Sequence, residues 1–262
     1  MEDVVKTITP AELPVEKVPF TDEDRQTEGG IDPENEVKGV KLLLLHTGLC
    51  LCTFLVGLDF NLIATAIPVI TSDFHSIGDV GWYGGAFFIA LCSSQPLAGK
   101  TFSLFSKKIA YLSYVALFEV GSLVCALAPS SPVLIVGRAI AGLGASGIFA
   151  GGLVILTTVI PLHRRAVWTG TLNSTFAIAS IVGPIIGGAL TQHVTWRWCF
   201  YINLPIAGFS AAVILFFFHV KRAPTEGIPL SNKLKSLDAV GFLFFAGSVT
   251  MLLIAVQLGG TS

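Results

Sequence analysis

Three ionisable side chains interrupt long apolar stretches of this chain: Asp59, Glu119 and Arg138. A charge inside a hydrocarbon layer costs about 2.5–3.5 kcal/mol or more when it faces lipid without a partner. We therefore expect all three to point into a helix bundle and to partner one another, with Asp59 paired to Arg138. Such a pair has two possible roles: a static structural contact, or a contact that proton uptake or substrate binding breaks.

Glycines and prolines inside the same apolar stretches form a second set of candidate residues. Closely spaced glycines let helix backbones approach each other, and a proline removes a backbone donor and bends a helix. The pattern Pro-x-x-Gly occurs twice, as two three-helix units related by inversion would produce. We expect hinge and packing roles for Pro96, Gly99, Gly142, Gly147, Gly151, Gly183, Pro184, Gly187 and Gly188.

Other kinds of chemistry have little support in the sequence. The five His residues are scattered, so no catalytic set is predicted, and no cysteine spacing is typical of a metal site. The five Cys residues lie in or beside apolar stretches, which favours packing over disulfides. Gly142, Gly144 and Gly147 have the spacing of a dinucleotide fingerprint but follow no strand. We expect no catalytic residue, metal, cofactor or nucleic-acid partner.

The candidate residues lie in segments long enough to cross a membrane. The chain is 53% hydrophobic and only 13% charged, whereas soluble domains contain about 25% charged residues. A helix needs about 20 apolar residues to span the hydrocarbon layer, and such long runs can satisfy their backbone groups only as helices. Seven stretches qualify: 42–68, 81–99, 109–128, 133–158, 167–190, 199–219 and 237–258.

The distribution of charge predicts the orientation of these spans. Eleven of the 17 acidic residues precede residue 40, in a segment with few large apolar groups that we expect to be disordered. Fourteen of the 16 Lys and Arg residues lie in this segment or in loops on the same side, which predicts a cytosolic N-terminus. Lys107 and Lys108 are on that side and are expected to gate or anchor a cytosolic loop.

These observations divide the chain into four parts. We expect a disordered cytosolic tail, a six-helix transmembrane bundle, a basic cytosolic loop, and a seventh transmembrane helix with a truncated end. Seven spans and a cytosolic N-terminus place the C-terminus outside, the reverse of a seven-helix receptor. The predicted bounds are 1–40, 41–220, 221–236 and 237–262.

Four stretches resemble the major facilitator superfamily and, within it, the fungal fourteen-span drug:proton antiporters. They are 58–68 in the first span, 137–142 in the fourth, 183–188 in the fifth and 194–205 at the entry to the sixth. The seventh span resembles the linker span between the two halves of these proteins. The loop after the second span departs from the family pattern, because Ser103 stands where an Asp is usual.

The resemblance implies an all-α membrane protein of major facilitator type, with one six-helix bundle plus a seventh transmembrane helix. It implies proton-coupled efflux of small amphipathic substrates, such as drugs, toxins or secondary metabolites, without a cofactor. The Arg of the family's fourth span is implicated in proton coupling, so Asp59 and Arg138 are the expected coupling residues and Glu119 a lesser one. The plasma membrane is the expected location and the vacuolar membrane an alternative.

Relatives of fourteen spans continue for seven further helices, so the sequence is expected to be a fragment of a longer pump. A homodimer of halves and a non-transporting remnant that binds a full-length partner are alternatives. A seven-helix receptor is a further alternative from another class, and an integral-membrane enzyme is a more distant one.

Overall fold

The computed structural model describes residues 39–218 and 239–259, and in these ranges the chain is entirely α-helical apart from turns and one short 3-10 segment. The predicted tail 1–40, except its last two residues, lies outside the described residues, as does the predicted loop 221–236. The described helices are α1 (Val40–Phe74), α2 (Val80–Leu104), α3 (Lys107–Ala126), α4 (Ser131–Val159), α5 (Leu162–His193), α6 (Trp198–Tyr201), α7 (Asn203–Phe217) and α8 (Ala239–Gly259).

The all-α membrane architecture predicted from the sequence is confirmed, but the number of spans is not. Among the residues that the structure describes, five helical segments are long and apolar enough to cross a membrane. Helices α2 and α8, which correspond to the predicted spans 81–99 and 237–258, are not among them. The five segments are Val40–Phe74, Lys107–Ala126, Ser131–Val159, Leu162–His193 and Trp198–Phe217.

The predicted sixth span is present as the segment Trp198–Phe217, but its helical hydrogen bonding is interrupted at Ile202. A continuous helix was expected over 199–219, but α6 ends at Tyr201 and α7 begins at Asn203. Pro205 has no N–H to donate to the carbonyl of Tyr201 four residues earlier, and its ring crowds that carbonyl. The proline therefore accounts for the break between α6 and α7.

Helix α4 is the centre of the bundle and packs closely against α2 and α3. A Cβ added at Gly142 would collide with the carbonyl oxygen of Phe87 in α2. One added at Gly147 would meet the ring of Tyr114, and one at Gly151 would meet the ring of Phe102. The small residues of α4 thus let neighbouring helices come closer than larger side chains would permit.

The glycines of α5 and α2 differ in whether a neighbouring helix lies close to them. Gly183 and Gly187 lie against α1, where an added Cβ would touch Asn61 and Thr65 respectively. Gly99 and Gly188 were expected to have the same packing role, but no described atom lies within 4 Å of a Cβ built at either position. They are therefore not packing residues among the described helices.

The two prolines expected at hinges lie inside uninterrupted helices, Pro96 in α2 and Pro184 in α5. Helix α5 packs against α1 but leaves much of its surface exposed, including the apolar side chains of Ile178, Ile181 and Ile185. In a membrane-spanning bundle such a face is compatible with lipid or with another helix.

Candidate functional site

Asp59 of α1 and Arg138 of α4 form a buried ion pair. Nη1 of Arg138 lies 2.5 Å from Oδ2 of Asp59, and the two side chains are 0% and 1% exposed respectively. The structure therefore brings together the two residues whose pairing the sequence predicted. Neither charge is in contact with solvent or lipid, so each depends on the other for its stability.

The remaining contacts of Arg138 come from the neighbouring helices. Its Nε group donates to the backbone carbonyl of Tyr83 in α2 at 3.0 Å. The guanidinium carbon lies 4.4 Å from the ring centre of Phe87 and 6.0 Å from that of Phe200. Arginine above an aromatic ring gains a favourable cation–π interaction. Nη2 has no hydrogen-bond partner among the described residues.

Asn203, at the start of α7, is a member of the site that the sequence analysis missed. The residue is fully buried, and its Nδ2 group donates to Oδ1 of Asp59 at 3.2 Å and to the hydroxyl of Ser122 at 3.3 Å. The stretch 194–205 was singled out by resemblance, so Asn203 could have been noted as a polar residue inside an apolar run. Its contact with Asp59, 144 positions away, could not have been predicted, because the direction in which the amide points depends on how the helices pack together.

Glu119 does not join the ion pair, contrary to the expectation that the three charges partner one another. Both of its carboxylate oxygens are buried and have no hydrogen-bond partner among the described residues. Glu119 lies three residues before Ser122 in α3, so the two side chains are on the same face of that helix. The acid is therefore beside the polar cluster without being hydrogen-bonded to it.

A second polar cluster lies where α1, α2 and α4 meet, close to the first turn of α4. The hydroxyl of Tyr83, whose ring is fully buried, donates to Ser131 at 2.9 Å and also lies 2.6 Å from the hydroxyl of Ser76. Ser131 in turn donates to a carboxylate oxygen of Asp79. Tyr83 therefore contacts both clusters, because its backbone carbonyl binds Arg138.

Lys107 and Lys108 fasten the start of α3 to two other helices. The ammonium group of Lys107 donates to the hydroxyl of Thr158 near the end of α4 at 2.8 Å. That of Lys108 donates to the backbone carbonyl of Leu215 near the end of α7. Both lysines anchor helices of the bundle, which is a more specific contact than the loop-anchoring role expected from the sequence.

Within residues 39–218 and 239–259, no group of three or more His, Cys, Asp or Glu side chains is arranged to hold a metal ion. All five cysteines, which lie in these ranges, are free thiols. The polar cluster around Asp59 contains a carboxyl group that can gain or lose a proton, and a fixed positive charge beside it.

Comparison with known proteins identifies close relatives. The family sequence model of the Major Facilitator Superfamily matches residues 49–261 of this chain. The chain is 46% identical to the MFS-type efflux pump MFS1 of Arthroderma benhamiae over 228 residues, which are 87% of this chain and 42% of the relative. It is 47% identical to the efflux pump roqT of Penicillium rubens over 238 residues, 91% of this chain and 44% of the relative.

The efflux pump aflT of Aspergillus parasiticus is similar to the same degree, with 47% identity over 230 residues that cover 87% of this chain and 45% of the relative. The chain thus spans less than half the length of these relatives.

Proposed function

Because the chain belongs to the Major Facilitator Superfamily, we propose that it forms the first helix bundle of a proton-driven exporter of small amphipathic molecules, such as drugs, toxins or secondary metabolites. The efflux-pump names of three relatives support the direction of transport. Alternating access in such transporters requires one bundle to rock against another around a central site. The proposed transport therefore requires a second bundle in addition to the one described.

The observation that carries this proposal is the buried pair of Asp59 and Arg138. Removing one partner from a buried ion pair typically destabilises a protein by about 3–5 kcal/mol, because the other charge is left uncompensated. Proton binding to Asp59 has a similar effect without a mutation, since it neutralises the carboxylate and leaves Arg138 charged. A free energy of about 3–5 kcal/mol changes the ratio of two conformations by a factor of at least about 100, although complete reversal from 1:99 to 99:1 needs about 5.5 kcal/mol.

The pair is suited to coupling because its members belong to different helices. Asp59 belongs to α1, Arg138 to α4, and the carbonyl that binds Nε of Arg138 belongs to α2. Protonation of Asp59 would weaken the contact between α1 and α4 but would leave the contact between α4 and α2 intact. Glu119, whose carboxylate has no hydrogen-bond partner among the described residues, supplies a second acid close to the site and is a secondary coupling residue.

The direction of the exchange follows from the proposed orientation. With a cytosolic N-terminus in the plasma membrane, or alternatively the vacuolar membrane, protons enter the cytosol as substrate leaves it. Lys107 and Lys108 then lie at the cytosolic end of the bundle. Pro184 and the glycines Gly183 and Gly187, which contact α1, would be where α5 moves relative to α1.

Transport of two amphipathic cations, ethidium and rhodamine 6G, tests this proposal. The chain is reconstituted into proteoliposomes, alone and joined to the C-terminal half of roqT, and dye movement is followed with and without an imposed pH gradient. The substitution Asp59→Asn keeps the shape of the side chain and removes its proton site. Asp73→Asn is the matched control, because Asp73 also lies in α1 but accepts a hydrogen bond from Trp196.

We expect gradient-driven dye movement by the joined protein, its loss in Asp59→Asn, and its retention in Asp73→Asn. Movement by the chain alone would show that it assembles a complete pathway from its own copies. Dye transport by Asp59→Asn that still depends fully on the gradient would contradict proton coupling at this pair. Absence of transport by both wild-type forms would contradict the exporter function.

A further inference from the structure

The first turn of α7 contains a buried amide that the exchange described above does not use. Nδ2 of Asn203 donates to Oδ1 of Asp59, whereas Nη1 of Arg138 binds Oδ2 of the same carboxylate. The two oxygens of Asp59 are therefore held separately, one from α7 and one from α4. The same amide also donates to the hydroxyl of Ser122 in α3.

The amide lies at the break that Pro205 introduces between α6 and α7. Asn203 is the first residue of α7, directly after Ile202, which separates the two helices. Where the backbone hydrogen-bond ladder is interrupted, a helix can change its direction without losing further backbone hydrogen bonds. The contact with Asp59 is thus made directly beside an interruption in the backbone hydrogen-bond ladder.

We propose that Asn203 is a positioning residue for Asp59, holding one oxygen of the proton-accepting carboxylate so that the break between α6 and α7 becomes part of the coupling site. This inference rests on the proposed proton-coupled function. It assigns to Asn203 a role that depends on the protonation of Asp59, which a purely structural amide would not have.

The physical reason is the charge of the acceptor. A hydrogen bond to an ionised carboxylate is roughly twice as strong as one between neutral groups. When Asp59 binds a proton, the amide of Asn203 exchanges a charged acceptor for a neutral one but keeps the hydroxyl of Ser122. Protonation therefore loosens α1 from α7 while α7 remains attached to α3.

Other ionisable groups surround Asp59 and could also respond to its charge. Arg138 of α4 is in direct contact, Glu119 and Cys125 of α3 and Cys199 of α6 lie within electrostatic range, and α2 contributes the carbonyl of Tyr83 that binds the arginine. The test must therefore report on the carboxyl group of Asp59 itself.

Infrared spectroscopy of the full chain in lipid nanodiscs provides such a report. The carbonyl stretching band of protonated Asp59 is identified by its disappearance in Asp59→Asn, and its intensity is followed against pH. Asn203→Leu replaces the amide by an apolar side chain of similar shape, and Asn203→Ala replaces it by a methyl group. Ser210→Ala is the control, because Ser210 is a buried polar residue of the same helix whose hydroxyl donates to the backbone carbonyl of Ile206.

We expect the midpoint of the Asp59 band to move to higher pH by about one unit in both Asn203 variants, since each has lost a donor that favours the ionised carboxylate. The band should also move to higher frequency, because the protonated carboxyl group has lost a hydrogen-bonding neighbour. Ser210→Ala should leave the midpoint and the frequency unchanged.

An Asp59 band with the wild-type midpoint in folded Asn203→Leu or Asn203→Ala would overturn the role of Asn203 and leave the proposed transport intact. A wild-type chain in which Asp59 gives no titrating band would overturn proton coupling at this carboxylate, and the positioning role with it. Failure of both Asn203 variants to fold, with Ser210→Ala folded, would show a structural role and also overturn the inference.

Discussion

Two neighbouring glycines of α5 offer a sharp test of helix packing in this bundle. Gly187 faces α1, where an added Cβ would collide with the hydroxyl oxygen of Thr65 and lie 3.0 Å from Cδ2 of Leu62 and 3.2 Å from its carbonyl oxygen. Gly188 has no described atom within 4 Å of the same position. Replacing each by alanine adds one methyl group to the same helix in two different environments.

Two contributions determine the expected difference in free energy of unfolding between the two variants. Alanine in a helix is more favourable than glycine by about 1 kcal/mol, and this gain is common to both variants. Forcing a methyl group into a closely packed contact costs about 1–3 kcal/mol, and this cost applies to Gly187→Ala alone. We therefore expect Gly188→Ala to be as stable as the wild type or more stable, and Gly187→Ala to lie about 1–3 kcal/mol below Gly188→Ala in free energy of unfolding.

Reversible unfolding of the purified chain in mixed detergent micelles, driven by increasing sodium dodecyl sulfate and followed by circular dichroism, measures this difference. The double variant Gly187→Ala/Thr65→Ala should recover part of the loss, because it removes the atom nearest to the new methyl group. Equal stability of the two alanine variants, or the absence of coupling between positions 187 and 65, would refute the packing of α5 on α1 described above.

Two further changes should lower the free energy of unfolding in the same assay. Lys108→Gln removes a positive charge that donates near the C-terminal end of α7, and we expect a loss of about 0.3–1 kcal/mol that added salt reduces; a loss that salt does not change would contradict this account. Tyr83→Phe deletes a buried hydroxyl that contacts two serine hydroxyls, and we expect a loss of about 1–3 kcal/mol. Tyr114→Phe is its control, because that hydroxyl makes only a 3.4 Å contact; equal losses in the two variants would contradict the role of the Tyr83 cluster.

The pairing of Asp59 with Arg138 could be predicted from the sequence because lipid leaves few alternatives for opposite charges in apolar spans. The same reasoning was wrong for Glu119, whose carboxylate has no hydrogen-bond partner among the described residues. Position along a span indicates depth in the membrane, but the direction in which a side chain points depends on the rotation of its helix. That rotation is determined by packing between helices, which the sequence alone does not reveal.

The contact between Asn203 and Asp59 was missed for a related reason, since it joins residues from the first and last helices of the bundle. The break at Pro205, by contrast, had a signal in the sequence. Pro205 is the seventh residue of the predicted span 199–219, and a proline at such a position indicates an interrupted helix, but hydropathy measures composition and not hydrogen bonding. The predicted span 199–219 agrees with the membrane-crossing segment Trp198–Phe217, but the interruption of its hydrogen bonding at Ile202 was not predicted.

The spacing of the glycines predicted which of them pack against another helix better than their number did. The four-residue repeat of Gly183 and Gly187 placed both on one face of α5, and both lie against α1. Gly188 is next in sequence but is rotated by about 100° around the helix axis, so it faces elsewhere.

The close contacts of α4 have a mechanical consequence. At Gly142 and Gly144 the nearest atoms across the interface are backbone atoms of Phe87 and Phe118. Main chain pressed against main chain leaves few flexible side chains that could absorb a displacement. Helices α2, α3 and α4 should consequently resist sliding past one another and behave as a stiff block, so that large movements during a transport cycle take place at the edges of this block.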